Sequence, residues 1–241
     1  MKIIIVRHGD PDYVNDNLTE KGKREAECLV DRIKKLDVKA FYCSPLGRAK
    51  ATAEPSLQAL NRTAEILPWL KEFPAYVIDP DTGKKRGPWD LMPATLMQNP
   101  DLFDREKWLK TDLMQSGNVE EIYREVCKGL DELLAKHGYV HDGYVYRVEK
   151  ENEDTIVLFC HFGLESVLLS HILNVSPVVI WQGFVALPTG VTVLNTEERQ
   201  QGIAYFRCSR FGDLSHLDIK GEPESFAARF CETFSNTEQR H

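Results

Sequence analysis

The apolar positions of the chain fall into two alternating rhythms. Lys2 to Val6 is a continuous apolar run that stops at Arg7-His8-Gly9, the pattern of a buried parallel strand delivering a loop at its carboxyl end. Thr19 is placed to cap a helix whose apolar residues Ala26, Leu29, Val30, Ile33 and Leu36 recur at helical spacing. A second short strand is predicted over Ala40–Cys43, a helix over Leu46–Leu60 with Pro45 suited to its first turn, and a third strand near Glu65–Leu67. From Asn118 an amphipathic helix aligns Val119, Ile122, Val126, Leu130, Leu133 and Leu134 on one face. Gly143–Val148 reads as a strand or hairpin, Thr155–Cys160 as a second fully apolar strand that again ends on a histidine, His161, and Leu164–Leu173 as a helix. Val191–Thr196 and Ile203–Cys208 read as two strands joined by a polar turn, and the chain after Gly212 is polar. Strands alternating with helices predict an α/β fold, a three-layer αβα arrangement around a mostly parallel sheet, with ligands beyond the carboxyl ends of its strands.

One segment breaks the rhythm. Between Phe73 and Gly117 stand five prolines, the basic turn Gly83-Lys84-Lys85-Arg86-Gly87, and only short helical candidates such as Asp101–Lys110. It is expected to be a cap, at about residues 73–117, inserted in a single domain spanning 1–241.

Composition narrows the classes of partner. Of 241 residues, 30 are Lys or Arg and 37 Asp or Glu, a formal net charge of −7, which argues against a nucleic-acid binder. With 42% hydrophobic and 28% charged residues the chain can build a core. No apolar run approaches the ~20 residues that span a bilayer, and the N-terminal run is too short for a signal peptide, so a cytoplasmic protein without membrane association is expected. The six cysteines (Cys28, Cys43, Cys127, Cys160, Cys208, Cys231) form no CxxC pair and read as reduced, buried thiols. His137 and His141 stand four apart, but Gly138 ends the helix between them and no third ligand is evident, so no zinc site is expected there. Whether the chain forms a homo-oligomer is left open.

The strand ends carry the chemistry. Arg7 and His8 follow the first strand, Arg48 lies on the helix after the second, and His161 follows a later one. Two arginines and two histidines converging in an acidic protein suit a phosphoryl group, because the planar guanidinium matches phosphate oxygens and imidazole can act as nucleophile or donor. A small phosphorylated ligand fits such a pocket better than a polyanion.

Ile5-Val6-Arg7-His8-Gly9, then Leu18-Thr19 with Gly22, then Ser44-Pro45-Leu46-Gly47-Arg48-Ala49 with Thr52-Ala53-Glu54, then His161-Phe162-Gly163, together resemble the histidine phosphatase superfamily, the phosphoglycerate mutase-like clan. The resemblance implies that His8 is a nucleophile that becomes phosphohistidine, that Arg7, Arg48 and His161 hold the phosphate, and that Glu72 is the proton donor, with Asp79, Asp81 and Asp90 as alternative acids. It implies no metal and no cofactor. Ser44 and Thr52 are further candidates for the site's edge, and Gly212–His216 is similar to a tail loop that some relatives fold toward it. Phe162 stands where the family commonly has a glycine, and the loop Asp10–Asn17 is shorter than in mutases and lacks their tryptophan-asparagine pair. A phosphatase is therefore expected ahead of a phosphoglycerate-type mutase or a non-catalytic phospho-ligand or protein-binding module.

Overall fold

The computed structural model describes residues 1–225 and 232–238. In chain order the elements are β1 (Lys2–Arg7), the small hairpin β2 (Pro11–Asp12) and β3 (Asn17–Leu18), α1 (Glu20–Ile33), β4 (Val38–Cys43), α2 (Gly47–Leu60) and β5 (Glu65–Ile66). The next segment carries a second small hairpin, β6 (Val77–Ile78) with β7 (Lys85–Arg86), and the short helices α3 (Pro93–Met97) and α4 (Asp112–Gln115). There follow α5 (Val119–Lys136), β8 (Tyr139–Asp142), β9 (Val145–Val148), β10 (Thr155–Cys160), α6 (Phe162–Leu173), α7 (Pro177–Gly183), β11 (Val191–Gln200), β12 (Ile203–Asp213) and α8 (Ser215–Lys220).

Eight strands form one sheet in the order β5-β4-β10-β1-β11-β12-β9-β8. The strands β5, β4, β10 and β1 run parallel to one another, and an antiparallel wing of β11, β12, β9 and β8 extends beyond β1. Helices cover both faces, so the layers are αβα. Strand periodicity divides the core. Ile3 and Ile5 point into the larger apolar cluster with α5, α6 and the 73–117 segment, while Ile4 and Val6 face α1 and α2. Every residue of β10 is buried, as its unbroken apolar sequence requires.

Local chemistry accounts for the boundaries that differ from the sequence expectation. Thr19 caps α1 by accepting from the Gly22 amide at 3.1 Å. Pro45 stays outside α2, because Ser44 Oγ accepts from the Leu46 amide at 3.2 Å and Leu46 is the extended residue before the first turn. Asp101–Lys110 is not one helix: the Asp104 carboxylate accepts from the amides of Glu106 and Lys107, leaving two 3-10 turns, Pro100–Phe103 and Trp108–Lys110. Helices α7 and α8 were not expected. The apolar stretch of α7, Val178–Trp181 between Pro177 and Gln182, is too short to show a helical period, and α8 is a six-residue helix in a polar tail.

Of the cysteines, Cys43, Cys127 and Cys160 are buried free thiols, Cys28 is half-buried and Cys208, contrary to expectation, is exposed on β12. Cys231 lies outside the described residues, as do Gln239 to His241 at the chain end. No described helix is long and apolar enough to cross a membrane.

Candidate active site

The parallel strands β1 and β10 end side by side, with Arg7 paired in register with Cys160, so the residues that follow are delivered to one crevice. His8 and His161 meet there, ring centroids 5.1 Å apart and both rings buried. His8 Nδ1 lies 2.8 Å from the Gly9 carbonyl oxygen. A carbonyl can only accept, so Nδ1 carries the proton and Nε2 keeps its lone pair. Burial, and then the adjacent Arg7 guanidinium, push the His8 pKa down to about 3, and the ring is neutral over the physiological range.

Backbone contacts hold this imidazole from behind. The Gly9 amide donates to Thr52 Oγ1 at 2.9 Å, and the Thr189 amide donates to the His8 carbonyl at 3.1 Å. Gly9 has to be glycine, since a Cβ would come within 2.8 Å of the Gly22 carbonyl oxygen. Thr189 sits at φ +58°, a region β-branched residues avoid, and its hydroxyl meets His216 Nε2 at 3.1 Å. His216 is thus one step behind the site, on the tail segment singled out in the sequence. Burial lowers its pKa to about 4.

His161 contacts Ser44 Oγ through Nε2 at 2.7 Å, and its buried Nδ1 has no protein partner. Burial, with His8 and both arginines near it, drives its proton affinity down. The Arg7 guanidinium donates to the Ala186 carbonyl and lies 5.7 Å from the centre of the Phe162 ring, so Phe162 takes its family glycine's place as an apolar wall. Arg48, nearly buried at the start of α2, donates to Asp16 Oδ1 at 2.7 Å. The same carboxylate accepts from the Gly47 amide at 2.6 Å. The Nε groups of Arg7 and Arg48 are buried donors without a partner that an anion can satisfy, and His161 Nδ1 is a buried ring nitrogen equally without one.

Glu72 reaches the same place from the start of the 73–117 segment. Its Oε1 accepts from the amides of Phe73 at 2.8 Å and Leu164 at 3.1 Å, which pins it at the first turn of α6. Burial raises its pKa, against those two amides and the charges of Arg7 and Arg48. A carboxyl raised in this way holds its proton to higher pH than an ordinary carboxylate, which suits it to giving and taking a proton. The alternative acids are engaged elsewhere. Asp79 accepts from Asp81 and Thr82 amides and pairs with Arg86 at 2.6 Å, and Asp90 pairs with Arg86 at 3.1 Å, so this hairpin is a self-contained ion cluster. Asp81 is an exposed hairpin residue.

Sequence reading missed three carboxylates. Asp16 orients Arg48; Glu25 is fully buried, with Oε2 accepting from the Asp10 amide at 2.8 Å and its pKa pushed up by burial to about 7. Glu165, also fully buried, is raised by burial to about 7 and feels Arg7 and Glu72. The signal for Glu165 was present: it is the only acidic residue in the mostly apolar helix Phe162–Leu173.

Known proteins resemble this chain in sequence and in fold. The profile of the histidine phosphatase superfamily (branch 1) matches residues 3–209. A probable phosphatase of Schizosaccharomyces pombe is 25% identical over 232 residues, covering 90% of this chain and 96% of that one. A 2,3-bisphosphoglycerate-dependent phosphoglycerate mutase of Thermoplasma acidophilum is 40% identical over 73 residues, 26% of this chain and 36% of its own length. Among solved structures, an alanine mutant of phosphoserine phosphatase from Entamoeba histolytica in complex with phosphoserine superposes with a TM-score of 0.59 at 19% identity, covering 90% of this chain and 98% of that one. With a matching profile over most of its length and phosphatases among its relatives, this chain belongs to the histidine phosphatase superfamily.

Proposed function

We propose that this chain is a metal-independent phosphomonoesterase that works through a phosphohistidine on His8. The observation that carries the reading is the His8 imidazole, neutral, buried and tautomerically fixed by the Gly9 carbonyl, with its Nε2 lone pair free. Nε2 forms a bond to phosphorus while the ester P–O bond breaks, and protonated Glu72 gives its proton to the departing alkoxide. Arg7, Arg48 and His161 stabilise the equatorial oxygens during transfer. Water, deprotonated by Glu72, then attacks phosphorus, the P–N bond breaks, and inorganic phosphate leaves. The scheme uses no cofactor.

The substrate is a small phosphorylated molecule. The crevice offers few cationic groups within an acidic surface, and a structural neighbour was crystallised with phosphoserine. We assign the whole of 1–241 to one domain in which 73–117 is a cap. Phe73, Leu91, Leu102, Trp108 and Met114 of that segment share a core with Ile3 and Ile5 of β1, which supports an insertion rather than a separate unit. Free buried thiols support a cytoplasmic setting.

The test is hydrolysis of p-nitrophenyl phosphate with EDTA present, wild type beside His8→Ala. Turnover is expected to survive chelation and to fall at least about a thousandfold in the variant, with an unchanged circular dichroism spectrum. Near wild-type turnover by His8→Ala overturns the assignment. Interconversion of phosphoglycerates on adding 2,3-bisphosphoglycerate would make the chain a mutase instead, and phosphate binding without turnover would make it a binding module.

A further inference from the structure

A second group of histidines lies far from the crevice. Helix α6 starts just after its N-cap, His161, and carries His171 in its last turn, about 15 Å further along the axis. There His171 Nε2 lies 2.8 Å from Asp131 Oδ1, and His141 Nδ1 lies 3.6 Å from Asp131 Oδ2. The two imidazole centroids are 4.5 Å apart. The consecutive elements α5 and β8, together with α6, thus bring two imidazole nitrogens and one carboxylate within 4.8 Å of one another.

We propose that Asp131, His141 and His171 bind one divalent transition-metal ion of the zinc type, which staples the edge strand β8 to helices α5 and α6. This does not depend on the reading of the active site. The dimensions suit such an ion: bonds of about 2.0–2.1 Å in a tetrahedron hold ligand atoms about 3.3–3.5 Å apart, so small rotations of the three side chains close the cage. The donor set selects the metal class, since two imidazoles and one carboxylate favour zinc and its neighbours over calcium or magnesium, which prefer all-oxygen cages.

The surroundings point the same way. The Tyr146 hydroxyl is buried without a hydrogen-bond partner; its ring lies tilted 5.2 Å from that of His141, and burial, then the nearby Asp131 carboxylate, make the hydroxyl harder to ionise. It is placed to support a carboxylate or water bound to the ion. The side chains of His171, His141 and Asp131 are 14%, 22% and 32% exposed, which leaves an entry path and an exchangeable fourth position. Arg105 of the 73–117 segment stacks on Tyr144 at the rim and adds positive charge near His141, so the single carboxylate of Asp131 is the anion on which cation binding depends. On binding, the proton that His171 shares with Asp131 is released to solvent.

Isothermal titration calorimetry of the EDTA-stripped full chain with Zn²⁺ tests the proposal. One equivalent is expected to bind, and zinc at about a hundred times the dissociation constant should raise the thermal midpoint by about 5–10 °C, reversibly with EDTA. His141→Ala and His171→Ala should each weaken binding at least about a hundredfold and abolish the thermal shift. His137→Ala, whose imidazole bonds Tyr42 instead, should bind as wild type. All three should hydrolyse p-nitrophenyl phosphate in EDTA at the wild-type rate. If His171→Ala fails to fold, His141→Ala on the more exposed β8 decides alone. No binding by the wild type, or unchanged binding by His141→Ala, as when zinc goes to His8 and His161, overturns it.

Discussion

The two histidine pairs of this molecule are built from the same ring at nearly the same spacing; His141, like His8 and His161, is driven by burial toward the neutral form, but His171 keeps its proton. His8 and His161 face two arginines and are contacted by a carbonyl and a serine hydroxyl; burial and the guanidinium charges drive both toward the neutral form. His171 is largely buried too, but Asp131 touches it, and against the pull of burial that hydrogen bond, with Cys127 beside the ring, raises its pKa to about 9. The first pair has a lone pair to offer phosphorus at pH 7, whereas His171 is proton-bound until a cation displaces the proton. A carboxylate kept off the imidazole is therefore as much a part of the proposed nucleophile as the imidazole itself. Glu72 and Glu165 lie near the crevice, and neither accepts a hydrogen bond from His8 or His161.

The largest effect that sharpens this contrast belongs to Glu72. If its carboxyl delivers the proton to the leaving group, Glu72→Gln should lower kcat/KM about 10²–10⁴-fold for an alkyl phosphate, whose alkoxide leaves poorly. For p-nitrophenyl phosphate the loss should stay within about tenfold. Because the Glu72 pKa is raised by burial, wild-type kcat/KM for the alkyl ester should decline as pH climbs through that raised value. The Gln variant should lack this limb. Hydrolysis should persist well into acid, since His8 protonates only near about 3. Equal losses on both esters would move the acid role to another carboxyl, with the buried Glu165, which feels Arg7 and Glu72, a candidate.

A smaller effect is expected from Ser44→Ala, which removes the neutral hydroxyl from His161 Nε2 at 2.7 Å. A single buried hydrogen bond contributes about 0.5–1.5 kcal/mol net, so kcat/KM should fall about 2–10-fold. A loss of a thousandfold would mean that Ser44 has a direct part in transfer; no loss would mean that packing alone orients His161.

The parallel half was legible because its signals are local. Lys2–Val6 and Thr155–Cys160 are unbroken apolar runs that end in charge, and such a run has few structures open to it other than a buried strand. The residues His8, Arg7, Arg48 and His161 could be named as a set for the same reason, each standing at an element's end. Glu72 required a family resemblance, because nothing in Trp69-Leu70-Lys71-Glu72 shows that its carboxylate will meet the amide of Leu164, 92 positions away. The Asp131, His141 and His171 cluster was illegible for the opposite reason to the strands. Its residues come from three elements, and the visible spacing, His137 and His141, pairs a ligand with a histidine that turns away to Tyr42. In the 73–117 segment, side-chain hydrogen bonds such as those of Asp104 and Asp79 decide the backbone path, and propensity carries little information about them.

Removing the carboxylate from the distal pair is the smallest perturbation of activity and the sharpest test of the contrast. Asp131→Asn keeps the shape and a hydrogen-bond acceptor but not the charge, so in EDTA hydrolysis of p-nitrophenyl phosphate should stay within about twofold of wild type. The His171 resonances, followed by NMR across a pH titration, should report a pKa well below about 9. Stability follows from the sign of that shift. A folded-state pKa above the unfolded value of about 6.5 gives stability that is fully present below pH 6.5 and lost as pH rises through about 9. With Asp131 about a third exposed, solvent screening leaves about 1–2 kcal/mol, so at pH 6 the variant's free energy of unfolding, from urea titration, should be lower by that amount. Above pH 9 the two proteins should converge. A wild-type protein whose urea midpoint is already flat between pH 6.5 and 9 would show that His171 titrates like an isolated imidazole, and the opposition between the two pairs would collapse.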